Sequence, residues 1–327
     1  MQALVRRGAA VTLVAWDDVG RLVCGEEEPE EGDLCDITDT LADVVVLRTT
    51  WDYWDRIEAF RGFMDALVPF GFLQNGAATV LANMDKRYLR ELEGRGVGIV
   101  PTLFVERGGE MAAVEEARGR GWSTVVVKPH VGAAGSGLEK FDRLDQAAGY
   151  LEQVTREGVA LVQKFLPRVV SEGETSLVYF DGVFSHAVTK VPAVGDFRSQ
   201  VDFGGVYTLA RPDEAQLRAS ELALAAWEDR YGERPLYARV DLVPGDDGRP
   251  LLGELELIEP ELFLDMDAGA ADRFAGAIMD RVGPLGYGEM RLGERLWSIG
   301  CVAMLVLGVL CGAVGAVTIV GWVFGGP

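Results

Sequence analysis

The stretch GELEL, residues 253–257, sets two carboxylates two residues apart. Side chains of an extended strand alternate faces, so Glu254 and Glu256 share one face while Leu255 and Leu257 point into a core. Like charges that close repel unless a cation lies between them. The segment YARVDLV, residues 237–243, has the same rhythm: Arg239 and Asp241 alternate with Val240 and Leu242. Paired as a hairpin across the polar GDDG turn, the two strands bring Asp241, Glu254 and Glu256 to one point. Hard oxygen donors of this kind hold Mg²⁺, two ions where nucleotide phosphates are bridged. The competing reading is a polar outer face of an antiparallel sheet.

A second constellation lies upstream. In VVVKPHVGAAGSGLEKF, residues 125–141, an apolar strand ends in Lys128 and runs into Gly132, Gly135, Ser136 and Gly137. A phosphate loop of the GxxxxGK[ST] type is excluded because Leu138 stands at the lysine position. The order is wrong for a dinucleotide fingerprint, and a protein kinase carries its glycines before the lysine. What remains is a flap whose backbone N–H groups lie over phosphates, with Lys128 as a cation beside it.

These residues need elements to carry them. The opening MQALVRRGAAVTLVAWDD reads as the tail of a helix, a stop at Gly8 and a strand Val11–Ala15. A doubly wound domain places a strand before such a helix, so a central strand is expected to be missing ahead of residue 1. Strand Val44–Leu47 and an amphipathic helix from about Arg56 to Val68 follow, the latter with Ile57, Phe60, Phe63, Met64 and Leu67 at helical spacing. They complete a small α/β domain over residues 1–80. Between them lies RTTWDYWD, at a strand's carboxyl end, where open α/β sheets bind ligands. Arg48 and Asp52 are therefore candidates for substrate contact, with Glu259 of the later acidic stretch; a surface arginine and a capping aspartate are the alternative. Further on, the pattern predicts strands Thr124–Lys128 and Ala160–Phe165, helices near 112–120 and over Leu144–Glu157, and a hairpin Ser176–Lys190 turning at Asp181-Gly182. Helix Glu214–Tyr231, strands Tyr237–Val243 and Leu251–Ile258, and a helix Met266–Val282 complete this part.

The chain of 327 residues has a net charge of −20, which excludes a nucleic-acid backbone as partner. The acidic run Glu26, Glu27, Glu28, Glu30, Glu31 reads as a solvated loop. Cys24, Cys35, Cys301 and Cys311 form no CxxC pair and there are two histidines, which argues against zinc and for a reducing compartment. Residues 296–324 contain no charged side chain and carry Trp297 and Trp322 near their ends. That length exceeds the roughly 20 residues a transmembrane helix needs. Arg291 and Arg295 precede the span, which places the catalytic part in the cytoplasm. Gly308, Gly312 and Ala316 would let two such helices pair as a homodimer.

The ordered segments NMDK, VVVKPHVGAAGSG, LVQKFLP, EGETS, FSHAVTKVPAVGDFRSQVDFGG, ARVDLV and GELELIEP resemble the ATP-grasp superfamily over about residues 44–282. The likeness is to the prokaryotic glutathione synthetase group and the related cyclo-ligase of cycloserine biosynthesis. The resemblance implies an α/β (α+β) ATP-grasp fold. A truncated pre-ATP-grasp domain would occupy residues 1–80, the ATP-grasp domain residues 81–290, and the transmembrane helix residues 296–324. Within the ATP-grasp domain, the glycine loop falls in a subdomain of about 101–166 and the metal-binding strands in one of about 167–290. Lys86 and Lys128 match the two nucleotide lysines, Gly132–Gly137 the loop over the β- and γ-phosphates, and Gln163, Lys164, Phe165 and Leu166 the adenine-reading hinge. Glu174 matches the ribose-binding acid. Lys190 and Arg198 match the basic residues that stabilise the transferred phosphoryl group, and Asp241, Glu254 and Glu256 the Mg²⁺ ligands. Glu256 stands where many relatives have asparagine.

The implied chemistry is ATP- and Mg²⁺-dependent activation of a small-molecule carboxylate as an acyl phosphate, then attack by an amine or similar nucleophile. Positioning and positive charge carry such a phosphoryl step, which matches the lack of a Ser/His or Cys/His nucleophile set; His130 and His186 read as structural. The alternatives are a non-catalytic, membrane-tethered nucleotide-binding module and a ligase acting on peptides or proteins. The presence of both lysines and all three acids favours an enzyme.

Overall fold

The computed structural model describes residues 1–17, 43–68, 72–132, 135–282 and 316–321. Its strands are β1 (Ala10–Val14), β2 (Val44–Thr49), β3 (Leu73–Gln74), β4 (Thr102–Val105), β5 (Val125–Pro129), β6 (Glu139–Phe141), β7 (Ala160–Lys164), β8 (Glu174–Phe180), β9 (Val183–Val191), β10 (Val206–Ala210), β11 (Tyr237–Pro244), β12 (Pro250–Glu256) and β13 (Ala316–Gly321). They form three sheets, ordered β1-β13-β2-β3, β4-β7-β5-β6 and β10-β9-β8-β11-β12.

The five-stranded sheet is antiparallel and has β11 near its centre, between β8 and β12. Ala238, Val240 and Leu242 of β11 share a core with Leu252, Leu255, Leu257 and the fully buried Trp227. Trp227 belongs to the helix Glu214–Tyr231, which begins in a capping box. There Asp213 accepts from the Gln216 backbone N–H at 2.8 Å and Gln216 accepts from that of Asp213 at 2.9 Å. Gly232, in the left-handed region at φ +72°, ends it. This core fixes the register of β11 and β12, because a slip by one residue would turn their charged side chains inward.

β5 and β6 are adjacent antiparallel strands, so the glycine stretch is the hairpin loop joining them. Gly137 closes it at φ +67°, where a Cβ would lie 3.0 Å from Pro129. Only glycine fits there without displacing the proline.

The N-terminal sheet is parallel, and its two early strands are not neighbours. β13 lies between them, with Val317 in register with Val11 of β1 and with Val44 of β2. The position expected for a missing strand is thus filled by residues 316–321. This corrects the expectation of one membrane-crossing helix over 296–324, because six of its residues form a strand. The β-branched run Val317, Thr318, Ile319, Val320 favours extended backbone, and β1 and β2 offer it two unsatisfied edges. Among the described residues no helix is long and apolar enough to cross a membrane. The remainder of the expected span lies outside the described residues, with Trp297, Trp322, Gly308, Gly312 and the flanking Arg291 and Arg295. All four cysteines and the acidic run 26–31 lie outside them as well.

A central parallel strand uses its N–H groups on both sides, so proline within it removes a ladder bond. Ile319→Pro is expected to raise amide exchange in Val44–Thr49 and lower the melting temperature. Unchanged protection of β2 would show that the strand is not part of the sheet in solution.

Candidate active site

A cavity of about 720 Å³ opens between the β5–β6 hairpin and the charged face of β11 and β12. Its lining includes Lys86, Lys128, Gly132, Gly135, Ser136, Glu174, Lys190, Arg239, Asp241, Glu254, Glu256 and Glu259. The size suits a small-molecule site.

Backbone register assembles its acidic side. Asp241 lies opposite Glu254, and Arg239 opposite Glu256; directly opposed residues have Cβ atoms about 5 Å apart. Asp241 also faces Ser176 of β8, whose hydroxyl donates to it at 2.5 Å. On the far side of β8, Glu174 pairs in register with Lys190, and their side chains form an ion pair.

Each carboxylate is held by a cation of the chain. Arg239 reaches Asp241 from Nε at 3.0 Å and from its terminal nitrogen at 2.9 Å, and the same nitrogen bonds Glu256. Lys190 lies 3.3 Å from Asp241, and Lys86 lies 3.1 Å from Glu254. Burial alone would push the Asp241 carboxyl up, but the charges of Arg239 and Lys190 hold it well below the usual carboxylate range. Glu254 is likewise lowered, burial being outweighed by Lys86 and Lys128. Glu256 goes the other way, to about 7: burial, with the charges of Asp241 and Glu254, outweighs Arg239.

Lys128 is the exception among the cavity's cations. It is buried, and no carboxylate among the described residues lies within ion-pair distance of it. Burial lowers its pKa, opposed by the charge of Glu254. Lys86 donates to the Gly132 carbonyl and so ties the glycine loop to β12. Gly135, at φ +73°, rests against the Gln200 side chain.

The three acids expected to meet at one point share one face, but arginine and lysine side chains stand among them. Among the described residues no three acidic, histidine or cysteine groups are close enough to hold a metal as they lie. The donor set is nonetheless all oxygen, on opposed backbone positions, and fits a hard divalent ion taking over from the ammonium and guanidinium groups.

Eight expected residues are placed elsewhere. Arg48 does not line the cavity: it is half-buried over the rings of Tyr237 and Phe274 and donates to the Pro260 carbonyl at 2.9 Å. Asp52 accepts from Trp16 Nε1 at 2.7 Å and pairs with Arg56, outside the cavity. Arg198 is bound to Asp196 at 2.8 Å and stacks on Phe203 at 3.6 Å. Gly137 turns the loop from behind. The hinge Gln163–Leu166 lies beyond this cavity: the N–H groups of Lys164 and Phe165 donate to Pro101 and Thr124 carbonyls, while Gln163 Nε2 donates to Thr102 at 3.0 Å and Lys164 pairs with Asp246. Arg239, which was not among the expected site residues, lines the cavity together with Lys190. Its alternation with Val240 was the signal for it. Asn83, Tyr53 and Gln200 also line the cavity; they stand within NMDK, RTTWDYWD and FSHAVTKVPAVGDFRSQVDFGG, but residue type and spacing gave them no role of their own.

The profile of the prokaryotic glutathione synthetase ATP-grasp domain matches residues 98–227. The cycloserine biosynthesis protein DcsG of Streptomyces lavendulae is 32% identical over 281 residues, covering 77% of this chain and 89% of its own. The chain belongs to the ATP-grasp ligase family. The crystal structure of D-cycloserine synthetase DcsG superposes on this ATP-grasp ligase with a TM-score of 0.74 at 29% identity, over 86% of this chain and 92% of that one. A glutathione synthetase of Prochlorococcus marinus (strain MIT 9313) is 37% identical over 131 residues, 39% of each chain. The ATP-grasp ligase PsnB, solved with a minimal precursor, shares the fold with a TM-score of 0.59 at 19% identity. ATP-grasp ligases use ATP and Mg²⁺, and this one is an ADP-forming ligase that activates a carboxylate as an acyl phosphate for attack by an amine or similar nucleophile.

Two outcomes follow from the charge pairing. Removing Arg239 leaves Asp241 buried with Lys190 as its one ion-pair partner among the described residues, a loss of about 3–5 kcal/mol for a broken buried pair. Arg239→Met should melt well below wild type, and Mg²⁺ should raise its melting temperature more than that of wild type; an equal rise would separate Arg239 from the metal face. Glu259 is pushed up to about 8 from an ordinary 4.5, by burial and then by the charge of Glu256. The fold therefore holds a proton that the unfolded chain releases, so stability present at low pH is lost as pH rises through that window. The melting temperature of ligand-free protein should fall less between those limits in Glu259→Gln than in wild type.

Proposed function

We propose that Lys128 and Lys86 hold the phosphates of ATP under the Gly132–Gly137 hairpin, while Asp241, Glu254 and Glu256 hold Mg²⁺ on the opposite wall. The observation that carries this is Lys128, a buried ammonium facing the cavity without a carboxylate partner. An ammonium kept out of water in this way is complementary to a phosphate oxyanion. When bound, Mg²⁺ would neutralise phosphate charge.

Lys190 and Arg239 lie on the same face, and their charges suit the phosphoryl group as it leaves ADP for the substrate carboxylate. The product is an acyl phosphate, and an incoming amine then displaces inorganic phosphate to form the new bond. Arg198, on its loop with Asp196, reaches this face only if that loop moves, and Leu166 offers its N–H as the hinge contact for adenine. Glu174, against Lys190, is the proposed ribose partner. The nucleotide elements all fall in residues 81–290, with the glycine hairpin in the subdomain of about 101–166 and the acidic strands in that of about 167–290. The cavity of about 720 Å³ has the size of a small-molecule site, which supports small-molecule carboxylate and amine substrates.

Full-length protein incubated with ATP, Mg²⁺, hydroxylamine and a panel of amino and hydroxy acids should release ADP and form a hydroxamate with one of them. Glu254→Gln should lower this at least about a hundredfold, the scale of losing electrostatic stabilisation of a transition state, with an unchanged circular dichroism spectrum. Release of AMP and pyrophosphate, or unimpaired turnover by Glu254→Gln, would refute the assignment.

A further inference from the structure

Lys86 sits in the turn between the helices Ala77–Asn83 and Tyr88–Glu93. A lysine side chain rotates freely about its stem, so its ammonium has a fixed place only where neighbouring groups hold it. The holding groups come from residues 130–132, at the start of the glycine loop. The Lys86 N–H donates to the His130 carbonyl at 2.8 Å, and the Lys86 ammonium donates to the Gly132 carbonyl. Lysine and loop base are therefore one unit, with His130 at its centre.

His130 is itself held from two sides. Its N–H donates to the Val159 carbonyl at 2.9 Å, and its ring lies on Gly158, which ends the helix Leu144–Glu157. A Cβ at position 158 would overlap Nε2 of that ring. The Gly158 backbone is extended, so what the position demands is space rather than a special conformation. On the opposite edge of the ring, Nδ1 is buried and faces the Asp85 carboxylate at 3.1 Å, without an aligned hydrogen bond among the described residues. Hydrogen bonds in ligand-free sites often align only once the ligand is bound. The same carboxylate accepts from the Arg87 N–H at 2.9 Å and from Arg87 Nε at 2.8 Å. Burial pushes the Asp85 carboxyl up, but His130 and Arg87 outweigh it and hold the group well below the usual carboxylate range. An ionised acid only accepts, so the imidazole edge turned toward it is the one that carries a proton.

We infer that His130 is a positioning residue: seated on Gly158 and facing Asp85, it holds the Lys86 ammonium and the base of the glycine loop where both meet the nucleotide phosphates. The inference rests on the phosphate role proposed above for Lys86 and Lys128. Lys86 and Gly132 line the cavity and His130 does not, so its effect reaches the ligand through them. The links are short. Asp85 precedes Lys86 directly, and Lys128 and Gly132 stand two residues to either side of His130. Both nucleotide lysines are thus referenced to a single ring. A residue that only filled the space over Gly158 would be replaced without loss by a phenyl ring, whereas a positioning residue needs the Nδ1 proton.

The test uses full-length protein with Mg²⁺ and reads dissociation constants for adenosine, ADP and the β,γ-imido analogue of ATP by calorimetry. The tightening from adenosine to the two phosphorylated ligands measures the hold on phosphate. His130→Phe keeps a ring on Gly158 and removes Nδ1. It should reduce the tightening about tenfold, the scale of one hydrogen bond, and leave adenosine binding within about twofold. His130→Asn, whose amide N–H stands in for that of Nδ1, should recover most of the loss. Asp85→Asn should lose as much as His130→Phe, and the double variant no more than either, because both changes remove one interaction. Asp85→Asn also serves where His130→Phe fails to fold. Wild-type binding by His130→Phe, an equal loss for adenosine and ADP, or losses that add in the double variant would overturn the inference. Lys86→Met separates the two readings. Should it lose the tightening while His130→Phe keeps it, the positioning role fails and the phosphate assignment stands. Should Lys86→Met keep the tightening, the phosphate assignment of Lys86 fails and this inference with it.

Discussion

Asp241 is buried on β11, an inner strand of the five-stranded sheet, and the surrounding residues answer the cost of a charge taken out of water there. Arg239 lies two residues before it on the same face, Lys190 approaches across β8, and Ser176 donates from the strand between. These partners bring further charges with them: Lys190 needs Glu174, and Arg239 needs Glu256. A linked network of ion pairs results, and its geometry is set by strand register rather than by loops.

Such a network also explains why the ligand-free site holds itself together. The proposed metal ligands are paired with the chain's own cations, which offset most of the repulsion among the carboxylates; Glu256 still feels the charges of Asp241 and Glu254. Lys128 stands apart: no carboxylate among the described residues pairs with it, and a phosphate is the partner proposed for it. The glycine hairpin is fixed at its base by Gly137 against Pro129 and by Lys86 at the Gly132 carbonyl. Its tip is small enough to lie close to a ligand.

Residues 257–262, which follow β12, obey a related constraint. An irregular segment inside a protein must find partners for its backbone polar groups. Here they come from Asn75, Tyr237, Trp51, Arg48, Arg239 and His186. This is the structural use of Arg48 and His186. For His186, burial lowers the pKa, and donation from Nε2 to Leu262 leaves Nδ1 to accept from Ser185.

Local pattern determined much of this protein. Alternation in YARVDLV and GELEL put Arg239, Asp241, Glu254 and Glu256 on one face, because strand periodicity is a property of neighbouring residues. Glycines after a strand lysine marked the hairpin loop, and the helices Leu144–Glu157 and Glu214–Tyr231 appear with the boundaries their apolar spacing indicated. Tertiary structure alone decided which cation meets which acid, since Lys190 and Lys86 reach their partners from distant strands and loops. It alone set Arg48 against the Pro260 carbonyl and bound Arg198 to Asp196. It also placed residues 316–321 between β1 and β2. An apolar run reads equally as a membrane helix or a central strand until the chain shows whether open sheet edges are there to receive it.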